Sequence, residues 1–107
     1  MVLRGGLSPD GEQRVITNSD EFAASQVTVG TTATLLAAAN PNRKFLQLIN
    51  LDVAAIVFVG ASNVTTTTGH QLPPTPSGEL TFGNAVTTAA VYGIVESGTC
   101  VVSVLEY

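Results

Sequence analysis

From residue 26 onward, apolar and β-branched residues occur in short runs separated by clusters of Gly, Pro, Asn and Thr. Runs bounded in this way are typical of β-strands, and no helical pattern is long enough for a crossover connection. We therefore expect seven or eight short strands. The clearest runs are residues 27–29, 34–37, 43–50, 55–59, 79–82, 90–96 and 99–106.

Residues 43–50 form the strongest predicted strand, because apolar side chains fall on both of its faces, as in the middle of a sheet. Residues 55–59 form a second two-faced strand. The short turn at residues 51–53 predicts an antiparallel hairpin between the two, which should anchor the core. A second hairpin, turning at Ser97 and Gly98, is predicted to join the last two strands.

Other segments are less regular. Residues 35–39 allow one helical turn as an alternative to a strand, because alanine favours helix. Asn40, Pro41 and Asn42 predict a turn. Residues 60–78 contain four consecutive threonines, His70 and three prolines, and this composition predicts a long exposed loop.

The first 25 residues differ from the rest of the chain. They hold half of the acidic residues and several glycines, and only the run from Arg14 to Thr17 could form a short strand. We expect an extended N-terminal arm over residues 1–25 and one domain over residues 26–107. The strand pattern predicts an all-β, antiparallel, jelly-roll-like β-sandwich for that domain.

Charge is sparse. Hydrophobic residues make up 45% of the chain and charged residues 11%, against roughly 25% in an average soluble domain. No charged residue lies between Val53 and Gly78. Such a surface is solvated by Thr, Ser and Asn or is buried against partners, and we expect a homo-oligomer, most plausibly a trimer.

The net charge of −4 argues against nucleic acid and anionic membranes as partners. Phosphate neutralisation needs clustered cations, and the chain offers only Arg4, Arg14, Arg43 and Lys44. The opening residues lack the apolar core of a signal peptide, and no apolar run approaches the ~18 residues of a membrane span. We expect a protein that is made and used without export.

Catalytic chemistry has few candidates, since the chain holds one histidine, one cysteine and no tryptophan. His70 has no local partner, so an ordinary loop histidine is favoured over a base or metal ligand. The single Cys100 is expected to act as a small hydrophobic residue. A hydrolase would need the missing base and orienting group, and we predict no enzyme activity, cofactor or metal site.

Three further patterns have plain structural explanations. Asp10 with Glu12 and Asp20 with Glu21 are interpreted as solvated acidic turns in preference to paired carboxylates or a calcium site. The sequon at Asn63 is interpreted as a polar loop. The dispersed aromatic residues are interpreted as core and interface residues.

The order of these runs resembles that of the small β-domains of tailed-phage virion structural proteins. The likeness covers about residues 26–107. It rests on the segments 27–29, 32–36, 40–46, 48–50 and 56–60 and on the closing runs 90–95 and 101–106. In that family an Asn-Pro-Asn-Arg turn leads into a strand ending in Asn, as at Asn50. The family's short Leu-to-Pro-Gly loop is stretched here over residues 72–78, which places a binding role for that loop in doubt.

The resemblance implies a sandwich displayed on the phage particle as head decoration, fibre or tail component. We expect a capsid decoration or cement protein that binds the major capsid protein and stabilises the head, assembled in the host cytoplasm. The alternative is a tail or fibre component that binds a receptor or carbohydrate through residues 65–76. The absence of tryptophan counts against sugar stacking.

Overall fold

The structure, a computed structural model, describes residues 23–82 and 85–107. These residues form eight strands and no helix. The strands are β1 (Ala23–Val29), β2 (Thr34–Ala37), β3 (Leu46–Asn50), β4 (Val57–Gly60), β5 (His70–Leu72), β6 (Glu79–Phe82), β7 (Val91–Val95) and β8 (Cys100–Glu106).

The strands make two antiparallel sheets of four, sheet 1 in the order β1-β8-β3-β6 and sheet 2 in the order β2-β7-β4-β5. The pairs β1·β8, β2·β7, β3·β6 and β4·β5 are those of one long antiparallel hairpin, with alternate pairs placed in opposite sheets. The pairs β3·β8 and β4·β7 complete the two sheets. This arrangement is a jelly roll. The predicted all-β, jelly-roll-like sandwich is confirmed.

The core lies between the sheets and follows from residue alternation. In β3, β7 and β8, every second side chain is buried and the next is half-buried, as expected when one face packs inward. Burying each such Leu or Val contributes roughly 1.5–3 kcal/mol. The buried core comprises Val29, Leu36, Ala37, Leu46, Leu48, Val57, Val59, Leu72, Val91, Val95, Cys100, Val102 and Val104.

Both predicted hairpins are wrong. β3 belongs to sheet 1 and β4 to sheet 2, so residues 51–56 cross from one sheet to the other. The same is true of residues 96–99 between β7 and β8, where Gly98 adopts a φ of +70° that favours glycine. Four extended residues span about 13 Å, enough to bridge packed sheets about 10 Å apart. A short connection therefore does not distinguish a hairpin from a crossing.

The predicted exposed loop at residues 60–78 is also corrected. It contains β5, which pairs with β4, and it buries Leu72 and Val64. Gly78 is buried as well, and a Cβ there would lie 1.7 Å from the Pro73 carbonyl oxygen, so no larger residue fits. Apart from β5 and these three buried residues, the stretch consists of loop residues that are largely exposed, as predicted.

The remaining predictions are more nearly right. Residues 34–37 form a strand, so the alternative of a helical turn is wrong. The turn at Asn40 is present: the Arg43 amide donates to its carbonyl and the Asn42 amide to its side-chain oxygen. β1 begins at Ala23, three residues before the predicted start of the domain. The rest of the predicted arm lies outside the described residues.

Leu48 provides a direct test of this core. It is fully buried in the middle of sheet 1, so Leu48→Ala should lower the free energy of unfolding by about 2–5 kcal/mol. His70→Ala, at an exposed position, should change it by less than about 0.5 kcal/mol. Urea unfolding measures both, and equal effects would contradict the described core.

Candidate functional site

Arg43 is the most unusual side chain in the described structure, because its guanidinium is completely buried. Its Nε donates to Glu106 Oε1 at 2.8 Å, while its terminal nitrogens donate to the carbonyl oxygens of Thr87, Ala89 and Ala38. We call this group of contacts the Arg43 clamp. A buried charge is tolerated only when it is paired and hydrogen-bonded in this way.

The Arg43 clamp joins three segments that are distant in sequence. It fixes the turn before β3, the end of β8 and the segment 85–90 that leads into β7. The backbone adds to it, since the Asn40 amide donates to the Thr88 carbonyl at 2.9 Å. One side chain thereby orders the end of the sandwich at which β3 begins.

Asn50 has the corresponding role where β3 ends. It is fully buried, and its Nδ2 donates to the carbonyl oxygens of Ala55 at 2.9 Å and Leu72 at 3.0 Å. Its Oδ1 accepts from the Asp52 amide. These bonds attach β3 to the crossing segment and to β5, so a polar side chain fixes the route between the sheets.

Asp52 shapes the same crossing. Its carboxylate accepts hydrogen bonds from the backbone amides of Ala55 at 2.7 Å and Ala54 at 2.9 Å. These amides stabilise the ionised form, so the pKa of Asp52 is lowered below its usual 3.8. The carboxylate therefore stabilises the turn at the start of the crossing segment.

A groove of about 450 Å³ opens at the same end of the sandwich as the Arg43 clamp. The carbonyl oxygens of two of its wall residues, Thr87 and Ala89, accept hydrogen bonds from Arg43. His70 is the only titratable residue among the described residues that line it. The full lining is Val59, Gly60, Ala61, His70, Leu80, Phe82, Thr87, Ala89, Ala90 and Val91.

Five large uncharged side chains lie on the outer side of sheet 2 or, in the case of Ile56, directly before β4. Leu35 lies opposite Tyr92, and Phe58 lies opposite Ile94. Leu35 is 45% exposed and the others are half-buried. Glu96 lies at the edge of this group of side chains, where it lines a depression together with Phe58. We call this uncharged surface the apolar face; it comprises Leu35, Ile56, Phe58, Tyr92 and Ile94.

The outer side of sheet 1 is different. Glu79 accepts hydrogen bonds from Gln47 at 2.7 Å and from Thr81 at 2.9 Å, which makes a polar ladder across β3 and β6. Along β8, apolar Val101 and Leu105 alternate with Ser103 between them. A mixed surface of this kind is ordinary for a solvated sheet. The two outer sides therefore have different chemistry.

The four threonines belong to a self-contained turn over residues 61–69, the threonine loop. The Thr65 hydroxyl contacts the hydroxyls of Thr67 and Thr68, and the Gly69 amide donates to the Thr65 carbonyl. Val64 is buried against Gly60 and Gly69. The loop borders the apolar face, since a Cβ on Gly69 would lie 2.6 Å from that of Phe58.

The residues singled out from sequence are placed apart from one another. His70 is exposed at the start of β5, and Cys100 is buried in the core, where burial raises the pKa of its thiol. Within residues 23–82 and 85–107 no cluster of His, Cys, Asp and Glu could hold a metal ion. Asp10, Glu12, Asp20 and Glu21 lie outside these ranges. The prediction that no residue is catalytic stays a prediction.

Sequence reasoning missed the role of Arg43, which it treated as one of four cations available to phosphate. The only local signal is its position directly after the Asn-Pro-Asn turn. It interpreted the dispersed aromatic residues as core and interface residues. Of these, Phe58 lies on the outer side, because β4 buries Val57 and Val59. The residues of the apolar face become neighbours only when β2, β7 and β4 pair, and no local sequence pattern predicts that pairing.

Removing the clamp should be costly. Arg43→Met leaves three carbonyls and the Glu106 carboxylate without their donor, and we expect the free energy of unfolding to fall by about 3–5 kcal/mol. Arg43→Lys should not restore it, because an ammonium lacks the planar fork. Lys44→Met, at the exposed neighbouring position, is the matched control. A tolerated Arg43→Met would contradict the clamp.

Asp52 predicts a pH effect of defined sign. Because its folded-state pKa is lowered, its stabilising contribution is present above about pH 3.8 and is lost as the pH falls through the folded-state pKa. Asp52→Asn should therefore lose less stability than the wild type on acidification below pH 4. Thermal unfolding across pH 2–6 measures this, and parallel curves for the two proteins would contradict it.

Two further observations bear on function. In the parts of the chain that the structure describes, no helix is long and apolar enough to span a bilayer. Comparisons with protein-family models, with curated proteins and with solved structures found no match. Function therefore has to be inferred from the surfaces described above.

Proposed function

We propose that this protein is a non-enzymatic structural component of a tailed-phage virion, and specifically a capsid decoration or cement protein. In this role it binds the major capsid protein, stabilises the head and is assembled in the host cytoplasm. The observation that carries the proposal is the apolar face. It presents large uncharged side chains on the outer side of sheet 2, a surface that faces solvent unless a partner covers it.

A surface of this composition favours protein contact. Tyr and Phe are enriched at the buried centres of interfaces, and charged residues are depleted there. Tyr92 and Phe58 lie within the apolar face, with Ile94 beside Phe58 across β7 and β4. The partners we propose are the capsid protein and further copies of this chain, which together form a trimer.

The fold agrees with this role by analogy only. Jelly rolls recur in viral capsid domains, but also in lectins and cupins, and a fold does not determine a function. Among these functions, the side chains that the structure describes favour assembly with other proteins. Within residues 23–82 and 85–107 the two buried polar residues, Arg43 and Asn50, are hydrogen-bonded to the chain itself. The groove offers one imidazole with no second titratable group among its described lining.

The alternative, a receptor- or carbohydrate-binding module that uses residues 65–76, has less support. A sugar site needs hydroxyls that are free to bond the ligand and an aromatic platform. In the threonine loop the Thr65 hydroxyl is hydrogen-bonded to the hydroxyls of both Thr67 and Thr68. The aromatic side chain beside Gly69 of this loop, Phe58, belongs to the apolar face.

A charge on the apolar face should block assembly and spare the fold. Leu35→Glu places a carboxylate at a position that is 45% exposed, so the free energy of unfolding should change by less than about 1 kcal/mol. Binding to particles that lack the protein should weaken tenfold or more. Gln26→Glu adds the same charge at an exposed position of β1, on sheet 1, and is the control. Equal binding of both variants would contradict the role of the apolar face.

The N-terminal arm gives a second test. Deleting residues 1–20 leaves the whole of β1 in place, so the thermal transition of the β-domain should be nearly unchanged. Occupancy on particles should fall, because a segment ordered on assembly adds its contacts there. Full-length and truncated proteins are added to depleted particles and compared. Equal occupancy would show that the arm does not contribute to binding. A truncated protein that fails to fold would show that the arm is part of the folded domain.

A further inference from the structure

The charged side chains of the described residues are divided between the two ends of the sandwich. Arg43 and Lys44 lie directly before β3, and Glu106, the ion-pair partner of Arg43, is at the same end. Asp52 and Glu96 lie at the other end, in the segments that cross between the sheets. Within residues 23–82 and 85–107, no lysine or arginine lies at that end to balance the two carboxylates.

Of these two carboxylates, only that of Glu96 has no partner among the described residues. The Asp52 carboxylate accepts hydrogen bonds from the amides of Ala54 and Ala55. Glu96 is exposed, and in the part of the chain that the structure describes it takes part in no hydrogen bond or ion pair. Its carboxylate is therefore available to a group from another molecule.

Strand register places Glu96 beside the apolar face. The pairing of β4 with β7 includes Val57 opposite Val95, so the next step along both chains brings Ile56 opposite Glu96. Because alternate residues share one side of a sheet, Glu96 lies on the same side as Phe58, its diagonal neighbour. Together they line a depression of about 210 Å³, whose lining is Ala54, Ala55, Ile56, Phe58, Glu96 and Ser97.

An aromatic ring and an unpaired carboxylate in one depression are the two features that a guanidinium group binds. A guanidinium is planar, stacks on aromatic rings and donates two parallel hydrogen bonds to a carboxylate. An ammonium can form the ion pair, but it lacks the flat surface that lies against a ring. The chemistry of Phe58 and Glu96 therefore favours arginine over lysine.

We propose that this depression binds an arginine side chain of the protein that covers the apolar face. Charge complementarity favours a different protein over a second copy, because this chain has a net charge of −4 and the guanidinium of Arg43 is buried in its own clamp. The inference rests on the proposed function and adds one feature to the capsid protein, an arginine beside the apolar patch that faces this chain.

The surroundings strengthen such an ion pair. Val53, in the same crossing segment as Ala54 and Ala55, is 80% exposed, so apolar surface is present at this end as well as on sheet 2. A partner that covers this surface also excludes water from the depression. An ion pair shielded from water is stronger and is screened less by salt than one on an open surface.

Glu96→Gln tests the inference, because it keeps the shape of the side chain and removes its charge. On particles that lack the protein, its dissociation constant should rise about tenfold relative to the wild type. Glu79→Gln makes the same change of charge at the same end, but on the outer side of sheet 1, and is the matched control. It should bind within about twofold of the wild type. Equal losses for the two variants would indicate a general effect of charge and would overturn the inference.

A double-mutant cycle tests whether one side chain contacts both residues. Phe58→Leu removes the ring and keeps an apolar side chain. If a single guanidinium contacts Phe58 and Glu96, the double variant should lose less affinity than the product of the two single losses. Losses that simply multiply would overturn the inference. Urea unfolding of each variant confirms that the fold is retained.

The isolated protein allows a test that does not depend on the particle. N-acetyl-arginine amide and the uncharged N-acetyl-citrulline amide have nearly the same shape, and each is titrated into the full-length protein while NMR shifts are followed. The arginine probe should shift the Phe58 ring and the Ser97 amide more than the citrulline probe does, and Glu96→Gln should abolish that difference. Equal shifts from the two probes would overturn the inference, as would larger shifts from N-acetyl-lysine amide.

These experiments separate the inference from the proposed function. If Leu35→Glu weakens binding to particles and Glu96→Gln binds like the wild type, the inference is overturned and the proposed function stands. If the wild type does not bind particles, the proposed function is contradicted, and the two probes alone decide the inference.

Discussion

The buried guanidinium of Arg43 is the constraint on which this end of the structure depends. A charge with no exposure has to be neutralised and hydrogen-bonded, and here that requires Glu106 at the end of β8 and carbonyls from two other segments. These partners come from three distant parts of the sequence. The hydrogen bonds from Arg43 fix the path of the segment that carries Thr87 and Ala89, and this segment forms one wall of the groove.

Asn50 completes the arrangement at the other end of β3. Its amide holds the chain where it leaves sheet 1 and also holds β5, so the change of sheet is determined by hydrogen bonds as well as by apolar packing. With both ends fixed internally, the outer surfaces of the sheets remain available. The apolar face on sheet 2 and the polar ladder on sheet 1 give the molecule two chemically different sides.

Much of the fold can be predicted from local pattern, and the failures have physical causes. The alternation of Cys100, Val102 and Val104 specifies β8 and its buried side correctly. Short connections do not specify which sheet comes next, so the hairpins predicted at residues 51–53 and at Ser97 and Gly98 were wrong. β5 is only three residues long and precedes several prolines, so its composition does not predict a strand. It is recognised as a strand only from its pairing with β4.

The candidate surfaces were less accessible to sequence reasoning than the strands. Low charge predicted an outer surface that partners cover, but no local pattern indicates which surface that is, because the large uncharged side chains come together only through strand pairing. Leu35 and Tyr92 are far apart in the chain and become neighbours only in sheet 2. The Arg43 clamp likewise needs long-range contacts, since nothing near Arg43 in sequence indicates that Glu106 is its partner.

A density map of the intact phage particle tests the central claim most directly, because it shows both where the chain lies and which of its sides is covered. Our account predicts the jelly roll on the capsid, with Leu35, Phe58, Tyr92 and Ile94 buried against protein and the Glu79 ladder directed to solvent. A particle without this chain, or a bound chain whose apolar face is open to solvent, would contradict it.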